Sequence, residues 1–428
     1  MSTTLPAPPP LCGVKVIELS HLIAGPYCGQ LLAEEGAHVV KVEPPDGELT
    51  RHREPMRRSS QGVISGYFGA LNRGKQSIGL DLKNPEGIAV LHQLLETTDV
   101  FITNMRAGAL TRMGIHPDEL HTRYPRLIIA CISGFGIKNA GANTDRAGLA
   151  MVAEAMSGTT GLTRDHSGNP VWCGFAMGDI LAGMTAHSAI LLALRNQELH
   201  GAGRILDIGM VECSLPMVSV ALARDQSASA ELRAIAGSNN FHGVPYGAFP
   251  ARDGYVNIGV NRDDFWKRLC IAMGCPELGS DPRYETYVER AKRQNEVFDI
   301  TEAFTRRYTR AEIEAMLGKV DVPVASILSM AELTQDSYLS ERGALRRVDD
   351  GIGGTMMLPA DPTRFEAAPG SSRVPLLSEH RDTVLRSDLG LGFKEIARLE
   401  KAGAFGFVEP AKINRLSALE VTQPTTLN

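Results

Sequence analysis

The sequence predicts an α/β protein in which a large domain built on a parallel sheet is interrupted by a smaller α+β domain. Three observations predict it. Apolar β-branched runs alternate with helical stretches through the first half of the 428 residues. A polar, alanine-rich passage from Arg224 to Asn240, punctuated by Gly237, has the character of a crossing between domains. From about Ser340 the mixture of strand and helix signals seen in the first half returns. The expected division is 1–224 with 340–428 for the large domain and 225–339 for the small one.

The elements follow in order. VKVIEL (Val14–Leu19) reads as a strand, SHLIAGP as a turn, PYCGQLLAEEGA with Pro26 in its first turn as a helix, and HVVKVE as the next strand. The pattern repeats in SIGLDL, the helical PEGIAVLHQLLETT, DVFITN, short helices around GALTRMG and PDELHTRY, and RLIIACISGF. Such alternation calls for a Rossmann-like parallel sheet covered by helices on both faces. Ligands of these sheets sit beyond the carboxyl ends of the strands, which directs attention to His21–Pro26, Asn104–Arg106 and Ser133–Gly136. Gly134, Gly136 and Gly141 have the wrong spacing for a dinucleotide fingerprint and read as a loop.

GRILDIGMVECSLPMVSVALA reads as one more strand and a buried helix before the crossing. In the small domain, YGAF and YVNIGV flank Asp253-Gly254 as a hairpin. Helical DDFWKRLCIAMG, RYETYVERAKRQNEVFDITEAFTRRY and RAEIEAMLGKV follow, the last entered through a capping box of Thr309 and Glu312. Beyond Ser340, GTMMLPADPTRF is strand-rich, EHRDTVLRSDLG and FKEIARLEKAG are helical, and the polar tail past Pro410 is expected to be disordered.

Composition narrows the function classes. A chain 43% hydrophobic and 22% charged is an ordinary soluble one, and a net charge of −5 argues against the broad basic surface that non-specific nucleic-acid binding needs. Any anion site must be local. Between Glu48 and Lys83, Arg51, Arg53, Arg57, Arg58, Arg73, Lys75 and Lys83 outnumber Glu48, Glu54 and Asp81; this is either a surface for a phosphate-bearing ligand or a solvated charged loop. Cysteines 12, 28, 131, 173, 213, 270 and 275 are odd in number and form no C-x-x-C pair, which fits free thiols in a reducing compartment, and a cytoplasmic protein is expected. MSTTLPAPPP lacks the regions of a signal peptide and no run of 18 apolar residues occurs, so no membrane partner is expected. Nor is a metal, since H-E-x-x-H and clustered Cys and His ligands are missing from the sequence.

The chemistry is expected in VWCGFAMGDILAGMTAHSAILLALRNQELHG (Val171–Gly201), focused on Asp179. Ile180, Met184, Leu191 and Leu194 fall on one helical stripe, so Asp179 opens a helix. Gly178 leaves room for a ligand, and the helix N-terminus keeps the carboxylate ionised. An approachable carboxylate can be a nucleophile; it can also be a simple N-cap.

The chain resembles family III CoA-transferases, the group that includes formyl-CoA:oxalate CoA-transferase and the carnitine CoA-transferases and shares its fold with α-methylacyl-CoA racemase. The carriers, in the family's order, are GVKVIELSHLIAGP with GAHVVKVEPP, NRGKQSIGLDLKNPEG, DVFITNMRAGALTRMG, RAGLAMVAEAMSG, GFAMGDILAG and PLLSEHRDTVL. The resemblance implies that Asp179 is the nucleophile and that CoA passes from an acyl-CoA to a carboxylic acid through an aspartyl-CoA thioester, with CoA thioesters as substrates and no tightly bound cofactor. It also implies an interlocked homodimer, and CoA contacts at His21, Ile23, Ala24, Leu80, Lys83, Asn104, Met105 and Arg112.

Departures from the family narrow the substrate. Pro44 stands where formyl-CoA transferase has an arginine, Ile23 where it has a glutamine, and Ala150 where it has an acid, and its glycine run is not intact near Gly237–Gly247. Glu154, on the same expected helix as Ala150, is a candidate substitute. These differences argue against oxalate. Leu149 replaces the histidine of the racemases, and leucine cannot carry a proton, which favours transfer over racemisation. The alternatives are an acyl-CoA isomerase and an inactive CoA-binding paralogue. Arg146, Arg164, His166 and Trp172 are candidates for the acyl site and would suit a small dicarboxylate such as succinate, mesaconate, itaconate or glutarate.

Overall fold

A computed structural model describes residues 8–164, 168–227, 243–362 and 372–406. His166, Gly237 and the tail past Pro410, singled out from the sequence, lie outside the described residues. The chain divides into two compact units: Met1–Ser157 with Gly174–Ser214 and Tyr338–Asn428, and Gly158–Cys173 with Leu215–Ser337.

In chain order the first unit contains β1 (Lys15–Leu19), α1 (Ala24–Glu34), β2 (His38–Glu43), β3 (Met56–Ser59), β4 (Gly62–Ser65), α2 (Gly66–Asn72) and β5 (Gln76–Gly79). Then come α3 (Pro85–Leu95), β6 (Val100–Thr103), α4 (Ala107–Arg112), α5 (Pro117–Arg123), β7 (Ile128–Ser133) and α6 (Ala150–Met156). After α7 (Thr159–Leu162), which belongs to the second unit, come α8 (Met177–His200), β8 (Ile205–Gly209) and α9 (Met210–Ser227). A six-stranded sheet runs in the order β5-β2-β1-β6-β7-β8, every neighbouring pair parallel. Alternate residues feed two cores. Ile17, Val40, Val42, Phe101 and Ile129 meet α3, α4, α5 and the helices Arg381–Ser387 and Phe393–Lys401 on one face. Val16, Val39, Ile102, Ile128 and Ala130 meet α1 and α8 on the other. A strand covered on both faces has no polar side, which is why the apolar runs are almost unbroken.

The chain winds from β1 outward through β2 to β5, then returns to β6 on the other side of β1 and proceeds outward to β8. This reversal opens a crevice at the carboxyl ends of β1 and β6.

Three expectations need correction. The stripe of Ile180, Met184, Leu191 and Leu194 is not the buried face of α8: Met184 is exposed, and the residues buried there are mostly small, Ala182, Gly183, Ala186 and Ala193 with Ile190 and Leu194. A β-carbon on Gly183 would lie 2.8 Å from the Ala24 carbonyl oxygen and 3.1 Å from Tyr27, so close packing of α1 on α8 selects glycine here. By length and composition α8 is apolar enough to cross a membrane, yet these residues pack into a core with α1. The boundary near 224 also moves. α9 is one continuous helix across that position, and its residues belong to the second unit from Leu215.

Third, four cations of the basic stretch form neither a surface for a ligand nor a solvated loop, while Lys83 lines a cavity. Arg51 pairs with Glu43 (2.6 Å), Arg57 with Asp350 (3.3 Å), Lys75 with Glu18 (2.7 Å), and Arg73 with Glu34. Glu18, Glu34, Glu43 and Asp350 are buried, so these cations neutralise interior carboxylates.

In the second unit β9 (Tyr246–Ala251) and β10 (Gly254–Gly259) form the expected hairpin, and β11 (Val324–Ser326) joins β10 antiparallel. Trp266, Phe249, Tyr284 and Phe304 are buried in its core, and the capping box of Thr309 and Glu312 is present. Back in the first unit, β12 (Leu345–Asp349) pairs with β13 (Thr355–Pro359). None of the seven cysteines is in a disulfide.

Candidate active site

The loop after β1 is held from below by a buried ionic group. Lys41 and Lys75 both contact the Glu18 carboxylate, at 2.8 and 2.7 Å, and all three side chains are fully buried. Lys41 also donates to the Ser20 carbonyl (3.0 Å) and Lys75 to the Pro26 carbonyl (2.7 Å), so the two ammonium groups grip both ends of the loop. Burial pulls the Lys75 ammonium down to about 8 against the pull of Glu18. A β-carbon at Gly29 would sit 2.1 Å from a Glu18 oxygen, so only glycine lets α1 lie over this group. Within the loop Leu22 has φ of 64°, a left-handed conformation that a leucine adopts only where its surroundings impose it.

Across the crevice, Asn104 follows β6. Its oxygen accepts from the His21 N–H (2.9 Å) and its amide donates to the His21 carbonyl (2.7 Å), locking the two strand ends together. On the far wall Asp207 of β8 accepts from the N–H groups of Ile137 and Lys138, both at 2.8 Å, and so fixes the loop after β7.

Asp179 is the third residue of α8; Ala176 occupies the N-cap position, so the N-cap reading fails. Its carboxylate instead accepts from the backbone N–H of Ala24, the first residue of α1, so it serves the N-terminus of a different helix. Gly178 does not face a ligand: it is buried against the Ala150 carbonyl and Ser214, and its N–H donates to Glu154 at 2.9 Å. The expectation that the helix end simply keeps Asp179 ionised is also corrected. Burial first, then the neighbouring Glu154 charge, raises it to about 6, with the Ala24 N–H opposing. At neutral pH it is an unusually basic carboxylate.

Two adjoining cavities meet here, sharing His21 and Met105 in their walls. One, of about 570 Å³, is lined by Asp179, Ala24, Asn104, Arg112, Arg146 and Leu149 among others. The other, of about 730 Å³, reaches Leu80, Lys83 and Pro44. The fold thus brings His21, Ala24, Leu80, Lys83, Asn104, Met105 and Arg112 together with Asp179, while Ile23, the residue preceding α1, lines neither cavity. Burial lowers the His21 imidazole below its ordinary range, so at neutral pH it is uncharged. The Arg146 guanidinium lies 5.1 Å above the Phe135 ring, bordering the same cavity as Asp179. Arg164 and Trp172 fall in the second unit, where Arg164 donates to the Gly168 carbonyl (2.7 Å).

Sequence reading missed Glu18, Lys41 and Lys75 as supports of the site. The signal was available: Glu18 and Lys41 stand at interior positions of largely apolar strands covered on both faces, where a charge persists only if paired.

A pair of adjoining cavities, one of them lined by a basic carboxylate, suits a long, partly anionic ligand bearing an electrophile. The sequence model of CoA-transferase family III matches residues 11–381. The succinyl-CoA–D-citramalate CoA-transferase of Chloroflexus aurantiacus is 34% identical over 94% of this chain and 99% of its own length. The formyl-CoA:oxalate CoA-transferase of Bradyrhizobium diazoefficiens is 32% identical over 92% and 97%, and the succinate–glutarate CoA-transferase of Agrobacterium fabrum 32% over 88% and 95%. Among solved structures, a CAIB/BAIF family protein from Brucella suis superposes with a TM-score of 0.78 at 29% identity, covering 89% of this chain and all of that one. Carried by a match over most of its length, and by relatives aligned from end to end, the chain belongs to CoA-transferase family III.

Proposed function

We propose that this CoA-transferase moves CoA from succinyl-CoA, or a similar acyl-CoA, to a small dicarboxylic acid through Asp179. The observation that carries the reading is a basic carboxylate bordering the crevice, in contact with the first N–H of α1. Two of the relatives act, by their names, on succinyl or succinate groups, and Arg146 in the same cavity suits a carboxylate acceptor.

The chemistry balances without an outside reagent. The Asp179 carboxylate attacks the thioester carbonyl, the carbon–sulfur bond breaks, and CoA leaves as a thiolate with a mixed anhydride behind it. The thiolate attacks the aspartyl carbonyl of that anhydride, releasing the donor acid as its carboxylate and forming the aspartyl-CoA thioester. The acceptor carboxylate then attacks this thioester, expelling CoA thiolate and leaving a second anhydride, and the thiolate attacks the acceptor carbonyl of that anhydride, forming the new CoA thioester and releasing the Asp179 carboxylate. Because the Gly178 N–H is engaged by Glu154, the Ala24 N–H is the donor that faces the reacting carboxylate. Leu149 in the cavity wall has no proton to exchange, which supports transfer over racemisation.

We also propose a homodimer, supported by exposed apolar side chains along α8, namely Met184, Leu192 and Leu199, and a cytoplasmic setting, supported by seven cysteines without a disulfide. The test of function is mass spectrometry of the intact chain after exposure to succinyl-CoA. The expected result is an adduct of CoA less water on the peptide holding Asp179. An Asp179→Ala variant that still transfers CoA at the parent rate would sink the covalent route.

A further inference from the structure

Glu154 is a carboxylate buried to 1% exposure, on α6, beside the first turn of α8. Its Oε1 accepts from the Gly178 N–H at 2.9 Å. The N–H groups that open a helix form its positive end and would ordinarily draw charge from a carboxylate in the same turn. Here an acid from another helix claims one of them, and Asp179 is left with the Ala24 N–H across the crevice. Gly178 packs on the Ala150 carbonyl, so the hydrogen bond also sets the spacing between α6 and the nucleophile's turn. Glu154 itself is absent from the cavity walls, so it acts through its neighbour rather than on substrate.

We propose that Glu154 is the positioning residue of this site: by taking the Gly178 N–H it ties the opening turn of α8 to α6 and sets a second buried carboxylate beside that of Asp179. The inference rests on Asp179 as nucleophile. Other groups around Asp179 are placed differently. Tyr67 of α2 feels its charge, while His21, Arg112, Asp145 and Arg146 line the shared cavity. Glu154 and the Ala24 N–H are what act directly on the Asp179 carboxylate, and they act in opposite directions. A more basic carboxylate is a stronger nucleophile toward a thioester carbonyl, provided it stays ionised at working pH. A value near 6 meets both conditions.

The discriminating variant is Glu154→Gln, which keeps an oxygen to accept the Gly178 N–H and removes only the charge. The experiment follows formation of the CoA adduct on the full-length chain in a single turnover with succinyl-CoA, as a function of pH. In the parent the rate falls below about pH 6; in Glu154→Gln the fall is expected about one unit lower, with a several-fold slower plateau at pH 8, following the reduced basicity. Glu154→Leu, which also loses the hydrogen bond, is expected to be slower still, with Glu154→Asp restoring part of the rate. An acid limb unmoved in a folded Glu154→Gln protein overturns the proposal. If Asp179→Asn still forms the adduct, the nucleophile assignment fails instead, so the two failures are distinct.

Discussion

At the residue scale, the proposed nucleophile Asp179 carries its charge at a cost in stability. Its folded-state value is raised from 3.8 to about 6, so between these limits the folded protein holds more protons than the unfolded chain, and stability falls as pH rises through that window. Above about pH 6 the fold carries a desolvated charge. Asp179→Asn is therefore expected to be inactive yet more stable than the parent at pH 7.5, by about 1–3 kcal/mol in urea melts, the gain fading as pH falls from about 6 to 4. A less stable variant at pH 7.5 would show that the carboxylate is well compensated and the electrostatic account wrong. Asp179 stood out as a candidate from the G-D pair and its family likeness, but its elevated basicity was not legible, because that comes from burial and from Glu154, 25 residues away in sequence and on another helix.

At the element scale, the site depends on how closely α1 and α8 approach. Gly183→Leu puts a side chain where 2.8 Å separates even a β-carbon from the Ala24 carbonyl, and should destabilise the fold by about 1–3 kcal/mol. Because the displaced residue is the one whose N–H meets Asp179, activity per folded molecule should fall at least tenfold; an unchanged kcat would mean that the two helices tolerate separation. Beneath α1, Lys75→Met leaves Glu18 with Lys41 and the Ser20 hydroxyl and frees the Pro26 carbonyl and Asn72, at a cost of about 3–5 kcal/mol. Thermal melting checks it, and a loss under about 1 kcal/mol would mean that the ionic group is dispensable. The buried face of α8 was misread for a related reason. An amphipathic stripe marks where large apolar residues lie, whereas a close helix crossing selects small ones, and hydropathy alone does not separate the two.

At the scale of the whole molecule, the exposed Leu192, 74% accessible on α8, is the expected weak point of the proposed dimer. Leu192→Arg should convert the dimer to a monomer in light scattering with the fold intact; a parent chain that is monomeric at micromolar concentration would remove the proposal. The succession of strands and helices, the hairpin at Asp253-Gly254, the capping box at Thr309 and the candidate nucleophile were written in local sequence, because hydrophobic period, turn chemistry and capping act between residues close in the chain. What only the tertiary structure decided is where the charges go. Arg51, Arg57, Arg73 and Lys75 read as part of a ligand surface or a solvated loop and proved to be partners of interior carboxylates, and at the helix end expected to serve Asp179 the Gly178 N–H is taken by Glu154. Charge pairing and desolvation depend on distance in space, and the winding order of the sheet sets those distances at sequence separations of tens to hundreds of residues.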